Sequence, residues 1–572
     1  MTFVSLRIRL ALPALVVFAL WSAGLAGGPT QAEKDPRSEK IDKLFAQWDK
    51  SDSPGCELAV IKDGRIVYKR GYGMANLEHN IPMSPASIMD TGSVSKQFTA
   101  MAIALLAEQG KLSLDDDIRK YMPEIPKYEA PITIRQLIHH TSGIRDYLTL
   151  MNIAGMRDDD YYVDGEVVSL LARQKELNFK PGSEFLYSNS GYFLLSQIVK
   201  RASGKTLREF ADENIFKPLG MTRTRFYDDH NELVKNRAAS YVPRRSGGFQ
   251  IAATTLDMVG DGNVFTCVED LFLWDQNFYQ NKLGKGGPEL INLVQTTGTL
   301  NSGEKIDYAF GLVIGKYRGL RIVEHGGAFV GYRAMTMRFP DQRFSVVMQC
   351  NLGTMNPSNL ARRIADIVLA DQFTADAGST RQPEPKFIEL SAQELTERTG
   401  AYRNQINGAI WRLSAKEGRL FAELPNTSIR FGAISANEFR SIGAPLEITL
   451  KFEKQGKSMV MSMQRGADRP VAFEPVQLVK PSQAQLSEYP GDYRSDEVQV
   501  TYRIVLEDGK LFVRHENEFK DIPKSPLQPT TSDAFFFQGI NLQFTRDASN
   551  RIASFTLNAG RVKNIRFVKK TN

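Results

Sequence analysis

The chain has 572 residues, of which 42% are hydrophobic and 24% are charged, and its formal net charge is +7. These proportions are those of globular domains and exclude disorder for most of the chain, while the length suits about three domains. Lys and Arg are scattered and are not interleaved with aromatic residues in one stripe, so we predict no nucleic-acid partner.

The first 32 residues have the pattern of an export signal. Arg7 and Arg9 precede an apolar run at residues 10–26; small residues follow, and Thr30-Gln31-Ala32 offers a cleavage site. The run is short for a membrane span, and an uncleaved anchoring helix is the alternative. We therefore predict an exported protein, periplasmic or secreted, that contacts a membrane only if the signal is uncleaved.

The cysteines are too few to form a disulfide framework. With Cys56, Cys267 and Cys350, at most one disulfide can form and at least one thiol stays free. Folding must therefore depend mainly on burial of apolar residues.

The next segment, residues 33–372, alternates between strand and helix patterns. Apolar runs at 56–61 and 65–73 flank Asp63-Gly64, which predicts a β-hairpin. Residues 93–279 have helical spacing, broken by Pro and Gly. Strands are then predicted at 308–316, 320–324, 332–339 and 344–351, followed by a helix at 357–367. Strands at both ends of a helical insert predict an α+β fold, with an antiparallel sheet packed against an all-α region and the site between them.

The C-terminal part contains an internal duplication. After a Pro- and Gly-containing linker at 373–389, residues 395–403 recur at 486–494 and residues 417–421 recur at 508–512, with the same offset of 91. Short alternating strands in each copy predict two small lipocalin-like up-and-down β-barrels, at 390–480 and 481–572. The barrels could serve packing or oligomerisation, or they could shape the substrate cleft.

One segment of the helical insert could carry a nucleophile. Residues 92–100 precede an apolar run at 101–106, which predicts a helix that begins near Ser93. Ser93 and Lys96 would then share one helix face. The hydroxyl would also lie where free N–H groups and the helix dipole stabilise an oxyanion. Such a serine could attack an acyl group; the alternative is a capping serine beside a surface lysine.

Similar short motifs elsewhere have weaker contexts. A second Ser-x-x-Lys pair, Ser302 and Lys305, lies in a polar stretch without an apolar helix after it, so we predict a solvated loop. Tyr279 and Asn281 form a second Tyr-x-Asn pair, which we interpret as the end of an amphipathic helix.

Two further motifs offer groups for acid/base work and substrate binding. Tyr187 could shuttle a proton if a cation such as Lys96 stabilised the ionised phenol, and Asn189 could hold a substrate carbonyl with its amide. Farther along, His325 precedes two glycines between strand-like runs, and glycine lets a substrate approach the backbone closely. The alternative for this segment is a turn with a surface histidine.

The three motifs together resemble those of a known enzyme family. In chain order they are Ser93-x-x-Lys96, Tyr187-x-Asn189 and His325-Gly326-Gly327. This set resembles the penicillin-recognising serine hydrolases, in the class C β-lactamase-like branch that includes D-aminopeptidases, DD-peptidases and esterases. Residues 132–144 and 260–266 are also similar to loops of the family, and the resemblance covers roughly residues 40–370. The two appended barrels resemble the D-aminopeptidase architecture, in which a barrel loop reaches the active site.

The resemblance implies a role for each motif residue. Ser93 would be the acylated nucleophile, and Tyr187 would protonate the leaving group. Lys96 would be either the acceptor of the serine proton or the cation that tunes Tyr187, and the sequence leaves this choice open. Asn189 would hold the substrate.

Backbone and pocket-edge groups complete the site that the resemblance implies. The N–H groups of Ser93 and Ala328 would form the oxyanion hole. His325, Gly326 and Gly327 would bind the substrate along one edge of the pocket.

His325 is a departure from the lysine that β-lactamases and transpeptidases usually carry at this position. A histidine with its ordinary pKa of about 6.5 is only partly charged at neutral pH, so it suits a carboxylate less well. We therefore expect a peptidase or esterase that acts on small peptides, D-amino acid derivatives or esters. The alternatives are a class C-type β-lactamase or DD-carboxypeptidase, and a non-catalytic penicillin-binding or cell-wall sensor protein.

The remaining expectations concern partners and cofactors. We predict a small-molecule or peptide substrate, a possible homo-oligomer, and no cofactor. We also predict no metal, because the histidines are dispersed along the chain. They are His79, His139, His140, His230, His325 and His515.

Overall fold

The computed structural model of the protein describes residues 36–570, apart from residues 158–159, 374–386, 406–407, 425–426, 443–447, 457, 466–469, 518–519 and 522–523. The predicted export signal and most of the predicted linker lie outside the described residues. Among the helices that are described, none has the length and hydrophobicity needed to cross a membrane.

A six-stranded antiparallel sheet is built from segments far apart in the chain. In spatial order its strands are Val313–Tyr317, Leu320–Phe329, Tyr332–Phe339, Phe344–Cys350, Cys56–Lys62 and Arg65–Tyr72. The N-terminal hairpin thus joins the later strands, with Cys56 directly opposite Cys350, and these two cysteines form a disulfide. Cys267 is a buried free thiol. The predicted antiparallel sheet is confirmed.

Helices cover the sheet and fill the region beside it. The α-helices before the barrels are Pro36–Phe45, Lys96–Glu108, Ile134–Ile138, Tyr147–Ile153, Asp164–Ala172, Asn189–Ser203, Leu207–Ala211, Lys217–Leu219, Val268–Asn277, Pro288–Val294 and Pro357–Val368. Shorter turns of 3₁₀ or π helix are Gly92–Ser95, Ile118–Lys120, Asp212–Phe216 and Ala370–Gln372.

The predicted helical insert is less uniform than expected, because short strands interrupt it. The minor strands before the barrels are Met74–Asn76, Ile81–Pro82, Met89–Asp90, Arg225–Phe226, Tyr241–Pro243, Phe249–Ile251 and Val264–Thr266. Two or three residues are too few to give a period-2 pattern, so the sequence did not reveal them. One of them has a structural role, because Val264–Thr266 pairs with Met89–Asp90 just before the predicted nucleophile.

The nucleophile helix, Lys96–Glu108, lies at the centre of the core. Every side chain from Lys96 to Leu106 is buried, so the helix is covered on all sides and not on one face only. It packs against the helix Asn189–Ser203, which presents Tyr192, Leu195 and Val199 to the same core. This packing fixes both helices that carry predicted site residues.

The first C-terminal sheet closes into a barrel of eight antiparallel strands. They are Gly400–Asn404, Ile410–Lys416, Arg419–Leu424, Thr427–Ala433, Glu438–Ile442, Ile448–Gln455, Ser458–Arg465 and Val471–Val476. A short helix, Ala392–Thr396, precedes them. The barrel has its own core, which includes Trp411, Phe431 and Phe473.

The second C-terminal sheet has ten strands and nearly closes. They are Gly491–Ser495, Val500–Glu507, Lys510–Asn517, Lys520–Asp521, Ser525–Pro526, Gln528–Pro529, Ala534–Phe537, Ile540–Arg546, Ile552–Ala559 and Val562–Lys569, after a helix at Gln483–Leu486. The predicted pair of β-barrels is confirmed as one closed and one nearly closed barrel.

The duplication also appears in matching local contacts of the two barrels. The Tyr402 hydroxyl donates to the Arg398 carbonyl at 3.2 Å, and the Tyr493 hydroxyl donates to the Tyr489 carbonyl at 2.7 Å. Each barrel is also entered through a capped helix, with Ser391 and Ser482 as the capping residues. Equivalent contacts at a constant offset support a duplication of structure as well as of sequence.

The second barrel packs directly on the helical region. Its apolar residues belong to the same hydrophobic core as those of the helices, and the Tyr502 hydroxyl donates to the Ile153 carbonyl at 3.0 Å. Arg145 and Glu497 form a buried ion pair across this boundary at 2.5 Å. The second barrel is therefore held close to the site described next.

Candidate active site

The predicted site residues meet at one cleft between the central sheet, the helical region and the second barrel. The cleft has a volume of about 780 Å³. Of the predicted residues, those that line it are Ser93, Tyr187, Asn189, His325, Gly326, Gly327 and Ala328. Lys96 is fully buried beneath Ser93.

Ser93 lies in a tight turn that a strand of the sheet contacts closely. The turn Gly92–Ser95 precedes the nucleophile helix, and Gly92 has a left-handed φ of +52°. A Cβ added to Gly92 would lie 2.7 Å from the Ala328 nitrogen, and one added to Gly327 would lie 1.8 Å from the Thr91 carbonyl oxygen. Only glycine allows this approach, which brings the backbone of Ala328 beside that of Ser93.

The strand Leu320–Phe329 is longer than predicted and includes the His-Gly-Gly segment. The sequence predicts that this strand ends at Glu324 and that His325, Gly326 and Gly327 separate it from the next strand. In the structure Gly326 pairs with Met335, and the chain turns only after Phe329. Glycine has low strand propensity, but here the absent side chains make room for the Ser93 turn.

The Lys96 ammonium holds three parts of the site together. Its Nζ donates to Ser93 Oγ at 3.2 Å, to Asn189 Oδ1 at 2.9 Å and to the Asp261 carbonyl at 2.6 Å. An ammonium has three protons, so all of its donors are used. Lys96 is therefore fixed within reach of the serine oxygen.

Tyr187 lies beside this ammonium and against a buried histidine. Lys96 Nζ is 4.9 Å from the centre of the Tyr187 ring, and the His140 ring centre is 4.2 Å away. His140 Nδ1 accepts the Ser188 N–H at 3.1 Å, and burial holds the pKa of His140 well below its ordinary value. His140 therefore packs as a neutral ring that supports Tyr187.

Asn189 is the first residue of its helix, and its side-chain amide contacts Lys96 at one end and the cleft at the other. Its backbone N–H donates to Asp146 Oδ2 at 2.7 Å, which anchors the helix start. Its side-chain oxygen accepts from Lys96, so its Nδ2 is the end left to face the cleft. An amide nitrogen donates, and this one can bind a carbonyl oxygen.

His325 is neutral and not the partly charged group that the sequence suggested. It is 6% exposed, and burial, assisted by the charge of Lys96, lowers the pKa of His325 to about 4. Its Nδ1 lies 2.7 Å from the Gly326 carbonyl, which only accepts, so Nδ1 carries the proton. Its Nε2 then accepts from the Tyr308 hydroxyl at 3.0 Å. The Gly326 carbonyl thus sets the tautomer of the histidine, and Tyr308 donates to the remaining nitrogen.

A buried carboxyl group lies on the other side of Lys96. The Tyr147 hydroxyl donates to the two Asp261 carboxylate oxygens at 3.3 and 3.2 Å. Burial raises the pKa of Asp261 to about 6, although the charge of Lys96 opposes the shift. At neutral pH this carboxylate is ionised and balances the ammonium inside the cleft.

Comparison with known proteins places this arrangement in a family. The sequence profile of the Beta-lactamase family matches residues 41–371, which is more than half of the chain. The chain belongs to the Beta-lactamase family. The matched residues form the α+β domain described above, and the two barrels follow it.

Several relatives of this Beta-lactamase family member extend into the barrels. It is 26% identical to a D-aminopeptidase of Brucella anthropi over 486 residues, which are 84% of this chain and 86% of that protein. It is 28% identical to penicillin-binding protein 4* of Bacillus subtilis over 449 residues, 75% of this chain and 97% of that protein. The octameric penicillin-binding protein homologue from Pyrococcus abyssi has a similar fold, with a TM-score of 0.55 at 23% identity, covering 76% of this chain and all of that one. The family and the named relatives make this chain a serine hydrolase.

Arg561 is a cleft residue that the sequence analysis did not identify. In the sequence, basic residues at 561–570 alternate with apolar ones, which predicts an exposed strand with a solvated face. Most of that strand fits this description, but Arg561 lies at the turn before it and lines the cleft. Its guanidinium carbon is 4.7 Å from the centre of the Tyr187 ring. Nothing in the local pattern distinguishes Arg561 from its basic neighbours, because its position depends on how the barrel docks.

The remaining short motifs do not lie in the cleft. Ser302 and Lys305 are exposed in a loop, as predicted. Tyr279 follows directly after the helix Val268–Asn277, also as predicted.

One group with metal-binding spacing was not foreseen from the dispersed histidines. Among the described residues, Asp229, His230 and Asp257 place ligand atoms within 4.8 Å of one another. His230 Nδ1 lies 2.8 Å from Asp257 Oδ2, so these two side chains already form a hydrogen bond with each other. None of the three residues lines the cleft.

Proposed function

We propose that this serine hydrolase is an amidase or peptidase of the D-aminopeptidase type, acting on small peptides, amides or esters of amino acids through an acyl-enzyme on Ser93. The observation that carries the proposal is the 3.2 Å contact between Lys96 Nζ and Ser93 Oγ at the floor of a cleft. An amine held beside a hydroxyl is what nucleophilic attack by serine needs. The D-aminopeptidases among the relatives support the substrate class.

Acylation would begin with attack of Ser93 Oγ on the substrate carbonyl carbon. The carbonyl oxygen would gain negative charge between the N–H groups of Ser93 and Ala328, and the Asn189 amide would hold a second carbonyl. The serine proton would pass to Lys96 or to Tyr187. The contacts of Lys96 allow either route, because a neutral amine would still donate to Asn189 and Asp261 while accepting from the serine.

Collapse of the tetrahedral intermediate would break the bond to the leaving group. Tyr187 would give its proton to the departing amine or alcohol, and positive charge from Lys96 would stabilise the negative charge left on the phenol oxygen. Water would then attack the Ser93 ester, with the same groups working in reverse. The products are an acid and a free amine or alcohol.

A class C-type β-lactamase or DD-carboxypeptidase is the second candidate function. The observation that favours it is Arg561, which lines the cleft. Its positive charge could bind the carboxylate of a β-lactam or of a peptide C-terminus, which the neutral His325 does not attract. A non-catalytic penicillin-binding sensor would use the same cleft for recognition, and it is an outcome of the tests below.

We also propose that the enzyme is exported, to the periplasm or beyond. The pattern of residues 1–32 supports this, and so does the Cys56–Cys350 disulfide, because disulfides persist in oxidising compartments. Fractionation of cells that produce the protein, followed by sequencing of its N-terminus, tests it: recovery outside the cytoplasm with cleavage near residue 32 is expected, and recovery in the cytoplasm alone would contradict export.

Substitution of the serine tests the proposed function. Full-length protein is assayed with a D-alanine anilide, a cephalosporin and a short-chain ester. We expect Ser93→Ala to lower kcat/KM at least about 1,000-fold on every substrate that the enzyme turns over. Ser302→Ala is the matched control, because Ser302 is the exposed serine of the other Ser-x-x-Lys pair, and it should stay within about twofold of the wild type.

The result that would contradict the proposal is turnover by Ser93→Ala at the wild-type rate. Absence of turnover of all three substrates by the wild type, with a lasting covalent adduct on Ser93, would favour the sensor instead.

A further inference from the structure

The tip of one hairpin of the second barrel is fixed against the helical region. This hairpin, the Arg561 hairpin, consists of Ile552–Ala559 and Val562–Lys569. Asn178 Nδ2 donates to the Arg561 carbonyl at 2.8 Å, and the Lys563 N–H donates to Asn178 Oδ1 at 2.8 Å. One amide thus holds the chain on both sides of residue 562, and the Arg561 side chain leaves the hairpin at a defined place.

The guanidinium of Arg561 has donors to spare. Its nearest carboxylate oxygen is Asp146 Oδ2, at 3.7 Å, and that oxygen already accepts the Asn189 N–H at 2.7 Å. Within the described part of the chain, no hydrogen-bond acceptor engages the guanidinium of Arg561. The side chain is 42% exposed, and it faces the cleft. A guanidinium carries five N–H donors arranged to bind a carboxylate through two bonds.

The other charged groups that line the cleft make hydrogen bonds within the protein. Arg333 donates through Nη1 to the carbonyls of Val330 and Tyr332 at 3.0 and 2.6 Å, which holds it against its own hairpin. Asp261 accepts from Tyr147 and faces Lys96. Of the two described arginines that line the cleft, Arg561 is the one whose guanidinium makes no hydrogen bond to the described residues and lies against the Tyr187 ring.

We propose that Arg561 binds a carboxylate on the leaving group of the substrate, and that the enzyme prefers peptides whose departing part is an amino acid with a free carboxylate. This inference rests on the proposed acyl-enzyme mechanism at Ser93. The leaving group must reach the Tyr187 hydroxyl to receive its proton, and the guanidinium lies against the ring of that tyrosine. In an amino acid the carboxylate is two bonds from the nitrogen, so it falls within reach of the same cation.

The proposal gives the second barrel a chemical role that the central domain lacks. His325 is neutral, so it supplies no positive charge for a substrate carboxylate. Arg561 supplies one from the second barrel, beside Tyr187. A substrate with a C-terminal amide would lose this contact while keeping every contact around the scissile bond.

The test compares two substrates that differ only in this group. Full-length enzyme is assayed with a dipeptide that has a D-alanyl acyl part and a free C-terminal carboxylate, and with the C-terminal amide of the same dipeptide. We expect the wild type to prefer the carboxylate at least about tenfold in kcat/KM. Arg561→Gln should lower kcat/KM for the carboxylate substrate about 10- to 100-fold, the size of a charge-assisted pair, and leave the amide within about threefold.

Two further variants show whether the effect depends on a positive charge inside the cleft or on any positive charge of the hairpin. Lys563→Gln is the matched control, because Lys563 pairs with Glu184 at 3.6 Å and does not line the cleft, and it should leave both substrates unchanged. Arg561→Lys should lie between the wild type and Arg561→Gln, because it keeps the charge but not the two-bond geometry. Equal melting temperatures show that the hairpin stays docked.

A second measurement does not depend on peptide turnover. The free amino acid product should inhibit hydrolysis of a chromogenic ester by the wild type, and its inhibition constant should rise at least about tenfold in Arg561→Gln. The amide of that amino acid should inhibit the two proteins equally. Equal losses of kcat/KM on the carboxylate and amide substrates in Arg561→Gln would overturn the inference, because Arg561 would then act only by supporting Tyr187. Unchanged kcat/KM on both substrates would overturn it as well. A fully active Ser93→Ala would instead overturn the mechanism beneath it.

Discussion

Burial decides what His325 contributes to the cleft. The same side chain on the surface would be half protonated near pH 6.5, but here burial lowers its pKa to about 4 and Tyr308 occupies its second nitrogen. It therefore stays a neutral hydrogen-bonding group across the physiological range.

Asp90 provides a pH-dependent prediction at this scale. It is 2% exposed, it accepts the Gly92 N–H at 2.8 Å, and burial raises its pKa to about 7. In the unfolded chain Asp90 ionises near pH 4, so its protonated form favours the folded state below that pH. This contribution is lost as the pH rises to about 7.

We therefore expect Asp90→Asn to gain stability relative to the wild type as the pH rises. The amide keeps an acceptor for Gly92 but does not ionise, so the difference in unfolding free energy should grow by on the order of 4 kcal/mol between pH 4 and pH 8. Urea unfolding of both proteins across this range measures it. A difference that is constant with pH would contradict the prediction.

At the residue scale, the sequence predicted which side chains would meet but not their electrostatic state. Ser93, Lys96 and Asn189 could be proposed because each belongs to a short motif. Tyr308 belongs to no such motif, and Asp261 lies in a segment that only resembled a family loop, without a role of its own; both come close to the site through tertiary packing. Charge state depends on burial, which a single sequence does not specify for a polar residue.

At the scale of elements, the two glycines after His325 have different tasks. A Cβ on Gly327 would lie 1.8 Å from the Thr91 carbonyl oxygen, whereas one on Gly326 would meet nothing closer than the Ala334 carbonyl oxygen at 3.8 Å. Gly327 is therefore required for the strand to contact the nucleophile turn, and Gly326 is not.

We expect Gly327→Ala to displace the strand from the nucleophile turn. Because backbone would clash with a new Cβ, the melting temperature should fall by several degrees, equivalent to about 2 kcal/mol or more. Gly326→Ala should melt within about 2 °C of the wild type, since its Cβ has room. Differential scanning calorimetry of both variants is the measurement, and equal melting temperatures would contradict the assigned contact.

The sequence predicted the long elements well and the short ones poorly. The strands at Tyr332–Phe339 and Phe344–Cys350 follow the predicted bounds within a residue, because Pro340 and Asp341 mark the turn between two apolar-rich runs. The strand through His325 was cut short because glycine usually ends a strand, and here tertiary contact overrides that preference. Strands of two or three residues, such as Val264–Thr266, leave no periodic signal in the sequence.

At the scale of the whole molecule, a buried ion pair helps to hold the second barrel in place. Arg145 and Glu497 are 0% and 5% exposed in their side chains, and Glu497 also accepts the Lys175 N–H at 2.8 Å. Removal of one partner leaves the other charge buried and unpaired, which costs about 3–5 kcal/mol. The neighbouring pair of Lys175 and Asp496 is exposed and 3.9 Å apart.

We therefore expect Glu497→Ala to loosen the second barrel and Asp496→Ala to have no effect. Hydrogen exchange of the Arg561 hairpin should speed up in Glu497→Ala, because its docking contacts open more often. The preference for a free carboxylate should weaken with it. Unchanged exchange in Glu497→Ala would contradict the role of this pair, and Asp496→Ala controls for a surface charge change at the adjacent position.

The duplication made the two barrels predictable, but their different placement was not. The two copies are related by a constant offset of 91 residues, so the same fold could be predicted for both, and both begin with a capped helix. Among the described residues, those of the second copy join the core of the helical region, whereas those of the first form a separate core. The docking residues Arg145 and Asn178 lie more than 300 positions from their partners in the chain, and sequence patterns do not connect them.

A covalent intermediate on Ser93 is the central claim, and intact-protein mass spectrometry tests it most directly. The enzyme is mixed with an activated D-alanine ester, quenched within milliseconds to seconds, and digested to locate the adduct. We expect the mass of one D-alanyl group on the peptide that contains Ser93, decaying as product forms, and no adduct in Ser93→Ala. Turnover without this adduct, or an adduct mapped to another residue, would contradict the mechanism.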